Sequence, residues 1–234
     1  MILAAGVGRR LLPLTNEIPK ALIPVGGVPM IERLIRRLRA AGVTEIVVNL
    51  FHLGDRIVEF LTSKNRFGLR IECAREAALL DTGGGLKNVA WFFDDSRPFF
   101  LHNVDVLSDI DLRALLRFHQ AASALATLAV QTRPSSRRLL FDSKGVLCGR
   151  ETEDGVQWAR GPVDGAAPLG FTGIHVIEPA IFPKLTETGA FPIIPTYLRL
   201  SREGEKIAAY RADGSYWLDV GSPESLEQAR NQPR

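Results

Sequence analysis

The sequence is poor in cysteine, with two in 234 residues. Cys73 and Cys148 alone cannot build a disulfide framework or a four-ligand zinc site. A reducing compartment, the cytoplasm, is therefore the expected setting. Long hydrophobic runs are also missing. The longest, Ala121–Val130, is interrupted by Ser123 and Thr127, far short of the roughly 18–20 apolar residues a membrane span needs. The opening Met1-Ile2-Leu3-Ala4-Ala5-Gly6 lacks the basic and apolar regions of a secretory leader, so no membrane partner is expected. Charge of one sign is scarce too. Twenty-nine basic residues stand against 26 acidic, a net charge of +3, too small a surplus to point to a nucleic acid partner. Repeats and low-complexity tracts do not occur. What remains is an ordinary globular composition, 46% hydrophobic and 24% charged. A chain this long buries roughly 70% of its unfolded surface and needs no covalent staple.

Along the chain, apolar strands alternate with amphipathic helices. Pro29–Ala41 carries Ile31, Leu34, Ile35 and Leu38 at helical spacing, with Pro29 suited to the first turn and Gly42 to the exit. Ile46–Leu50 follows as a buried strand, then a helix at Asp55–Leu61, a strand at Arg70–Ala74 and a helix from Gly83 to Ala90. A strand at Phe99–Asn103, a helix at Leu112–Ala122 and a strand at Ala126–Val130 complete the first part. Such alternation predicts an α/β fold, a Rossmann-like, mostly parallel sheet flanked by helices. Beyond Gln131 the segments shorten. Leu139–Phe141 and Gly145–Cys148 are brief, and Asp154–Gly165 reads as a loop. Phe171–Ile177 is a strong strand, followed by helices at Pro179–Lys184 and Ile193–Arg202, a strand at Ile207–Arg211 and a closing helix at Pro223–Ala229. One domain over 1–234 is expected, with a nucleotide-binding part over 1–130 and a smaller lobe over 131–234.

The most informative segment runs from Leu3 to Lys20. It joins an apolar start to Gly6-Val7-Gly8, then Arg9-Arg10, then Pro19-Lys20. Glycines allow backbone N–H groups to approach a phosphate. Arginine adds a planar fork and lysine a mobile point charge. A dinucleotide fingerprint would need a third glycine where Leu11 stands, and a P-loop would need Gly-Lys-Ser/Thr around Lys20. Neither is met. A surface turn with solvated arginines is the plain alternative for the glycine pair alone.

Three further segments carry candidate chemistry. Asp81-Thr82-Gly83-Gly84-Gly85 lies between a strand and a helix. Three bare residues there offer a flat backbone surface for a base, or merely a tight turn. Asp105 follows the strand ending at Asn103, where open α/β sheets bind ligands. Asp109 and Asp111 are the better cap candidates for the next helix. Trp217-Leu218-Asp219-Val220-Gly221-Ser222-Pro223 ends in a serine cap and an N1 proline, which leaves Asp219 without a structural reason. His52, His102, His119 and His175 are expected to make ordinary polar contacts.

Together these strings resemble the sugar-1-phosphate nucleotidylyltransferases. The signature Leu-Ala-Ala-Gly-x-Gly-x-Arg-(Leu/Met)-x-Pro-x-Thr-x-x-x-Pro-Lys is met at every fixed position. Asp81 stands for the usual glutamate, and Val104 for the usual glycine before Asp105. The resemblance implies the nucleotide-diphospho-sugar transferase fold with a small sugar-binding lobe. It implies catalytic roles for Arg10 and Lys20, and nucleotide contacts from Leu3, Ala4, Ala5, Gly6, Gly8, Asp81, Thr82, Gly83 and Gly84. It further implies sugar-phosphate contacts from Asn103, Thr172 and Gly173, and Mg²⁺ on Asp105 and Asp219. Short members of the family include the N-acetylmuramate 1-phosphate uridylyltransferases of cell-wall recycling, which the chain most resembles; UTP and a sugar 1-phosphate are the implied partners. A mannose- or heptose-1-phosphate guanylyltransferase is the alternative, and a non-catalytic nucleotide-sugar sensor a third. The Glu-Lys-Pro of longer members is missing, and Asp154–Pro168 offers Arg160 as its one cation. A monomer or small homo-oligomer is expected.

Overall fold

The computed structural model describes residues 1–135 and 137–231. Its chain divides into two units that are not successive halves. Unit 1 comprises Met1–Leu80, His102–Asp109 and the segment from Tyr216 onward; unit 2 comprises Asp81–Leu101 and Ile110–Ser215. The strand Phe99–Asn103 is shared, passing from one to the other at Leu101/His102.

In unit 1 the two-residue strand Ile2–Leu3 lies parallel to Glu45–Leu50 and to Phe99–Asn103. Glu45–Leu50 in turn pairs parallel with Arg70–Arg75. Leu3, Asn49 and Asn103 stand level in this register, so three loops leave the sheet at one carboxyl edge. The helix Met30–Ala40 buries Met30, Ile31, Leu34, Ile35 and Leu38, the face its periodicity predicts. Pro29 caps it and Gly42 leaves it with φ +100°, a conformation that favours glycine.

A second core lies beneath the Leu3–Lys20 segment. Leu11, Ile23, Val25 and Met30 pack with Val220, Leu226 and Ala229, and Leu14, Ile18 and Leu218 close it. Each fully buried aliphatic side chain stabilises by roughly 1.5–3 kcal/mol. The glycine-rich segment and the strand Trp217–Asp219 are thus anchored on the same apolar cluster. Trp217–Asp219 also pairs antiparallel with Val106–Ser108. Asp109 accepts the Tyr216 N–H at 2.7 Å and donates its own to the Tyr216 carbonyl. Asp109 therefore closes this strand pair, while Asp111 alone caps Leu112–Ala122 through Arg113 and Ala114.

Unit 2 is built around Ala167–Ile177, antiparallel to both Ala126–Gln131 and Arg138–Phe141. Ile207–Arg211 adds a parallel pair on Ala126–Gln131. In unit 1 the longer strands are thus parallel, with short antiparallel pairs beside them, and in unit 2 the pairing is largely antiparallel. Asp154–Gly165, expected as a loop, contains the strand Gly155–Trp158, which folds back antiparallel on Leu147–Thr152. The turn residues Asp154 and Gly155 hid a hairpin. The helix expected from Gly83 starts two residues earlier, at Asp81.

Candidate active site

The segment from Leu3 to Lys20 turns through three short 3₁₀ helices. Gly8 has φ +63°. A Cβ there would fall 2.7 Å from Thr15 Cγ2, and Thr15 Oγ1 donates to the Gly8 carbonyl at 3.0 Å. Glycine is required twice over, for conformation and for space. Gly6 has nothing within 4 Å of where a Cβ would lie. The N–H groups of Gly6, Val7 and Gly8 donate to no group among the described residues. Successive free amides of this kind form a concavity suited to an anion.

Two ion pairs, Lys20–Asp105 and Arg10–Asp219, lie on neighbouring segments beside this turn. The Lys20 ammonium contacts Asp105 Oδ2, with both side chains largely buried. Arg10 Nη2 lies 3.9 Å from Asp219 Oδ1, at side chains 68% and 42% exposed. The Val220 N–H donates to the Asp105 carbonyl at 2.8 Å, which ties the two carboxylate-bearing segments together. Gly221 makes the arrangement possible. A Cβ on it would fall 2.2 Å from Arg10 Nη2 and 2.5 Å from Asp219 Oδ1. Val104, which stands where the resemblance has glycine, has no left-handed φ, and its side chain is buried. The Val104 N–H donates to the Leu3 carbonyl at 3.1 Å, so the peptide before Asp105 follows the sheet without strain. Asn103 ends the same strand, level with Leu3.

Two carboxylates are few for a metal held by protein alone. Among the described residues no cluster of three or more His, Cys, Asp or Glu could hold an ion. Mg²⁺ uses one or two carboxylates and completes its shell with water and substrate phosphates. Asp105 and Asp219 fit that role, with Lys20 supplying the positive charge beside Asp105.

A buried chain of hydrogen bonds, absent from the sequence reading, supports the turn. Ala4 N–H donates to Asn49 Oδ1 at 2.8 Å, and Asn49 Nδ2 to Glu76 Oε1 at 2.7 Å. The Leu80 N–H donates to Glu76 Oε2 at 2.9 Å. Asn49 and Glu76 are both buried. One polar residue near the end of the apolar run Ile46–Leu50 was the available signal.

In unit 2 the first of the three glycines, Gly83, has a packing reason. A Cβ on Gly83 would fall 2.4 Å from the Phe191 ring and 2.9 Å from its carbonyl oxygen. That carbonyl accepts from Gly83 at 2.8 Å and Gly84 at 3.1 Å. Thr82 Oγ1 accepts the Ile193 N–H, Asp81 Oδ1 accepts the Thr82 N–H, and Asp81 itself has φ +60°. Thr172 is buried and donates to the Ala129 carbonyl at 2.7 Å. Gly173, with φ +78°, lies where the strand register shifts. Arg160 is engaged by Asp142 at 2.7 Å and by the Leu147 carbonyl, closing a hairpin.

The histidines make structural contacts. His52 Nε2 donates to the Thr15 carbonyl, and His175 Nδ1 is bonded to the Tyr197 hydroxyl. His119 joins Thr127 and Glu178. His102 is fully buried, and burial pushes its imidazole down to about 3.

Comparison with known proteins settles the family. Residues 1–139 match the model of the nucleotidyl transferase family. The chain belongs to that family. A UTP–glucose-1-phosphate uridylyltransferase of Synechocystis is 32% identical over 98% of this chain, which spans 61% of that protein's length. An N-acetylmuramate α-1-phosphate uridylyltransferase of Neisseria meningitidis is 33% identical over 98% of this chain and 96% of its own. Among solved structures, a UDP-glucose pyrophosphorylase from Acinetobacter baumannii superposes with a TM-score of 0.79 at 19% identity, covering 98% of this chain and 90% of the other. The fold is thus that of the nucleotide-diphospho-sugar transferases. No helix among the described residues is long and apolar enough to cross a membrane.

Proposed function

We propose that this nucleotidyl transferase joins UTP to N-acetylmuramate 1-phosphate in the cytoplasm, forming the nucleotide sugar and releasing pyrophosphate with Mg²⁺ as cofactor. The observation that carries the reaction class is the placing of the ion pairs Lys20–Asp105 and Arg10–Asp219 on neighbouring segments beside the free amides of Gly6, Val7 and Gly8. Support for the substrate pair comes from the Neisseria relative, matched over nearly the full length of both chains.

In the reaction a sugar-phosphate oxygen attacks the α-phosphorus of the triphosphate. A new P–O bond forms, the bond to the β-phosphate oxygen breaks, and pyrophosphate leaves with the electron pair. A phosphate monoester has a second pKa near 6, so the nucleophile is largely dianionic at neutral pH and needs no general base. The structural employment of all four histidines agrees with that. The difficulty is to bring two anions together, which places positioning and charge neutralisation foremost. The amides of the turn hold the triphosphate. Arg10, held beside Asp219, neutralises the departing pyrophosphate, and Lys20 holds its charge beside Asp105. Mg²⁺ on Asp105 and Asp219 would neutralise phosphate oxygens and orient them. At an effective dielectric of 20, one unit-charge pair at 4 Å is worth about 4 kcal/mol, so loss of any one of these groups is costly.

A pyrophosphate-release screen of the four common ribonucleoside triphosphates against a panel of sugar 1-phosphates tests this. UTP with N-acetylmuramate 1-phosphate should give the highest kcat/KM. A different best pair replaces the substrate assignment, and no turnover with any pair removes the reaction.

A further inference from the structure

We propose that Glu76 is a positioning residue that sets nucleotide affinity by holding the phosphate-binding turn through Asn49. The inference rests on the reading that this turn takes the triphosphate. Glu76 lies outside every motif by which the chain was recognised, and its carboxylate touches neither Arg10 nor Lys20.

Both of its oxygens are committed. Oε1 accepts from Asn49 Nδ2 at 2.7 Å and Oε2 accepts the Leu80 N–H at 2.9 Å. Its own N–H donates to the Leu50 carbonyl at 2.8 Å, which fixes its backbone against the strand that carries Asn49. Asn49 is thereby oriented with its amide oxygen toward the Ala4 N–H, at 2.8 Å. Ala4 is the first residue after the strand Ile2–Leu3, and Gly6, the first glycine of the turn, follows two residues later. With Ala4 N–H pinned, the turn leaves the sheet in one direction. While Asn49 faces it, position 76 needs a group with two acceptors, because both of its partners, Asn49 Nδ2 and Leu80 N–H, are donors. In Glu76→Gln the side chain keeps its shape, but its amide nitrogen confronts one of those donors. A buried donor left unsatisfied is expensive: with the glutamine nitrogen toward Asn49, the clash is relieved by rotating the Asn49 oxygen away from Ala4, and with the nitrogen toward Leu80 it falls on the Leu80 N–H.

The polarity of the pair can be exchanged. In the double variant Asn49→Asp, Glu76→Gln, one aspartate oxygen accepts the Ala4 N–H. The other accepts from the glutamine nitrogen, and the glutamine oxygen accepts the Leu80 N–H. Every bond is restored with the net charge unchanged. Asn49→Asp alone sets two carboxylates against each other.

The test is steady-state kinetics of the full chain with UTP and N-acetylmuramate 1-phosphate varied in turn, together with calorimetric titration of UTP. Glu76→Gln and Asn49→Asp should each raise the KM for UTP and its dissociation constant about tenfold. The KM for the sugar phosphate should stay within threefold, and the double variant should return both UTP constants to within threefold of wild type. Unchanged UTP constants in Glu76→Gln overturn the inference. So does a parallel rise in both KM values, which would mean general loosening, and so does failure of the double variant to recover. If the wild type binds UTP but turns over no sugar 1-phosphate, the proposed reaction falls, and the calorimetric comparison still decides this inference.

Discussion

Gly221→Ala isolates the geometry of the charged cluster from the chemistry of its members. Gly221 has no left-handed φ, so alanine can adopt its backbone conformation. The new methyl would stand 2.2 Å from Arg10 Nη2, 2.9 Å from Arg10 Cζ and 2.5 Å from Asp219 Oδ1. Ordinary contact begins near 3.4 Å, so the guanidinium and the carboxylate must each give way by about 1 Å. The Arg10 side chain is 68% exposed and can swing into solvent with little effect on folding. Its ion pair with Asp219 is likewise exposed, and exposed pairs contribute only about 0–1 kcal/mol to stability. Catalysis is far more sensitive, since a displacement of about 1 Å can reduce rate by roughly 10²-fold, or about 2.7 kcal/mol of barrier. The expected outcome is a kcat near 1% of wild type with UTP and N-acetylmuramate 1-phosphate, and a Tm within a few degrees of wild type. Pyrophosphate release measures the first, and calorimetry or circular dichroism the second. A folded Gly221→Ala protein with kcat within threefold of wild type would refute the claim that Arg10 and Asp219 must hold these positions.

Other expectations concern stability. Gly83→Ala places a methyl 2.4 Å from the Phe191 ring and 2.9 Å from a backbone oxygen that cannot withdraw. Overpacking of this kind costs about 1–3 kcal/mol, or a Tm loss of roughly 3–10 °C. Phe191→Ala in the same chain should reduce the increment due to Gly83→Ala to the part owed to the backbone oxygen, and an undiminished increment would show that ring contact is not its cause. The fully buried His102, its imidazole held down to about 3 by burial, gives a pH effect. Between pH 6.5 and 3 the unfolded chain binds a proton at this site and the native state does not. Stability from His102 is thus fully present above pH 6.5 and declines as pH falls, by up to about 1.4 kcal/mol per unit. Urea midpoints between pH 7.5 and 4 should fall less steeply in His102→Asn, and parallel curves would contradict the assignment.

The helices and the parallel strands of unit 1 were legible in the sequence because each rests on a local pattern. The face Ile31, Leu34, Ile35 and Leu38 and the run Ile46–Leu50 are examples. The Leu3–Lys20 string was legible for a different reason. Gly8 must accept a left-handed conformation beneath Thr15, and few sequences satisfy that together with the arginine and lysine. What escaped was non-local. Glu76 and Asn49 are 27 residues apart and match no spacing rule. The strand Gly155–Trp158 is mostly exposed, with Glu153 and Asp154 before it, so polarity masked its pairing. Arg160 looked available because Asp142, its partner, lies 18 residues upstream. The packing of Gly83 on Phe191 also escaped, because the two stand more than a hundred residues apart in sequence.

The central claim is that Asp105, paired with Lys20 and tied to the Asp219 segment, belongs to a nucleotidyl-transfer centre. The most direct test compares pyrophosphate release by the wild type and Asp105→Ala, with UTP, N-acetylmuramate 1-phosphate and saturating Mg²⁺. Circular dichroism should show both proteins folded. Sustained turnover by the wild type and a loss of at least about 10³-fold in the variant are expected, in keeping with one charge pair at a dielectric near 20. Turnover by Asp105→Ala within tenfold of the wild type would contradict the claim.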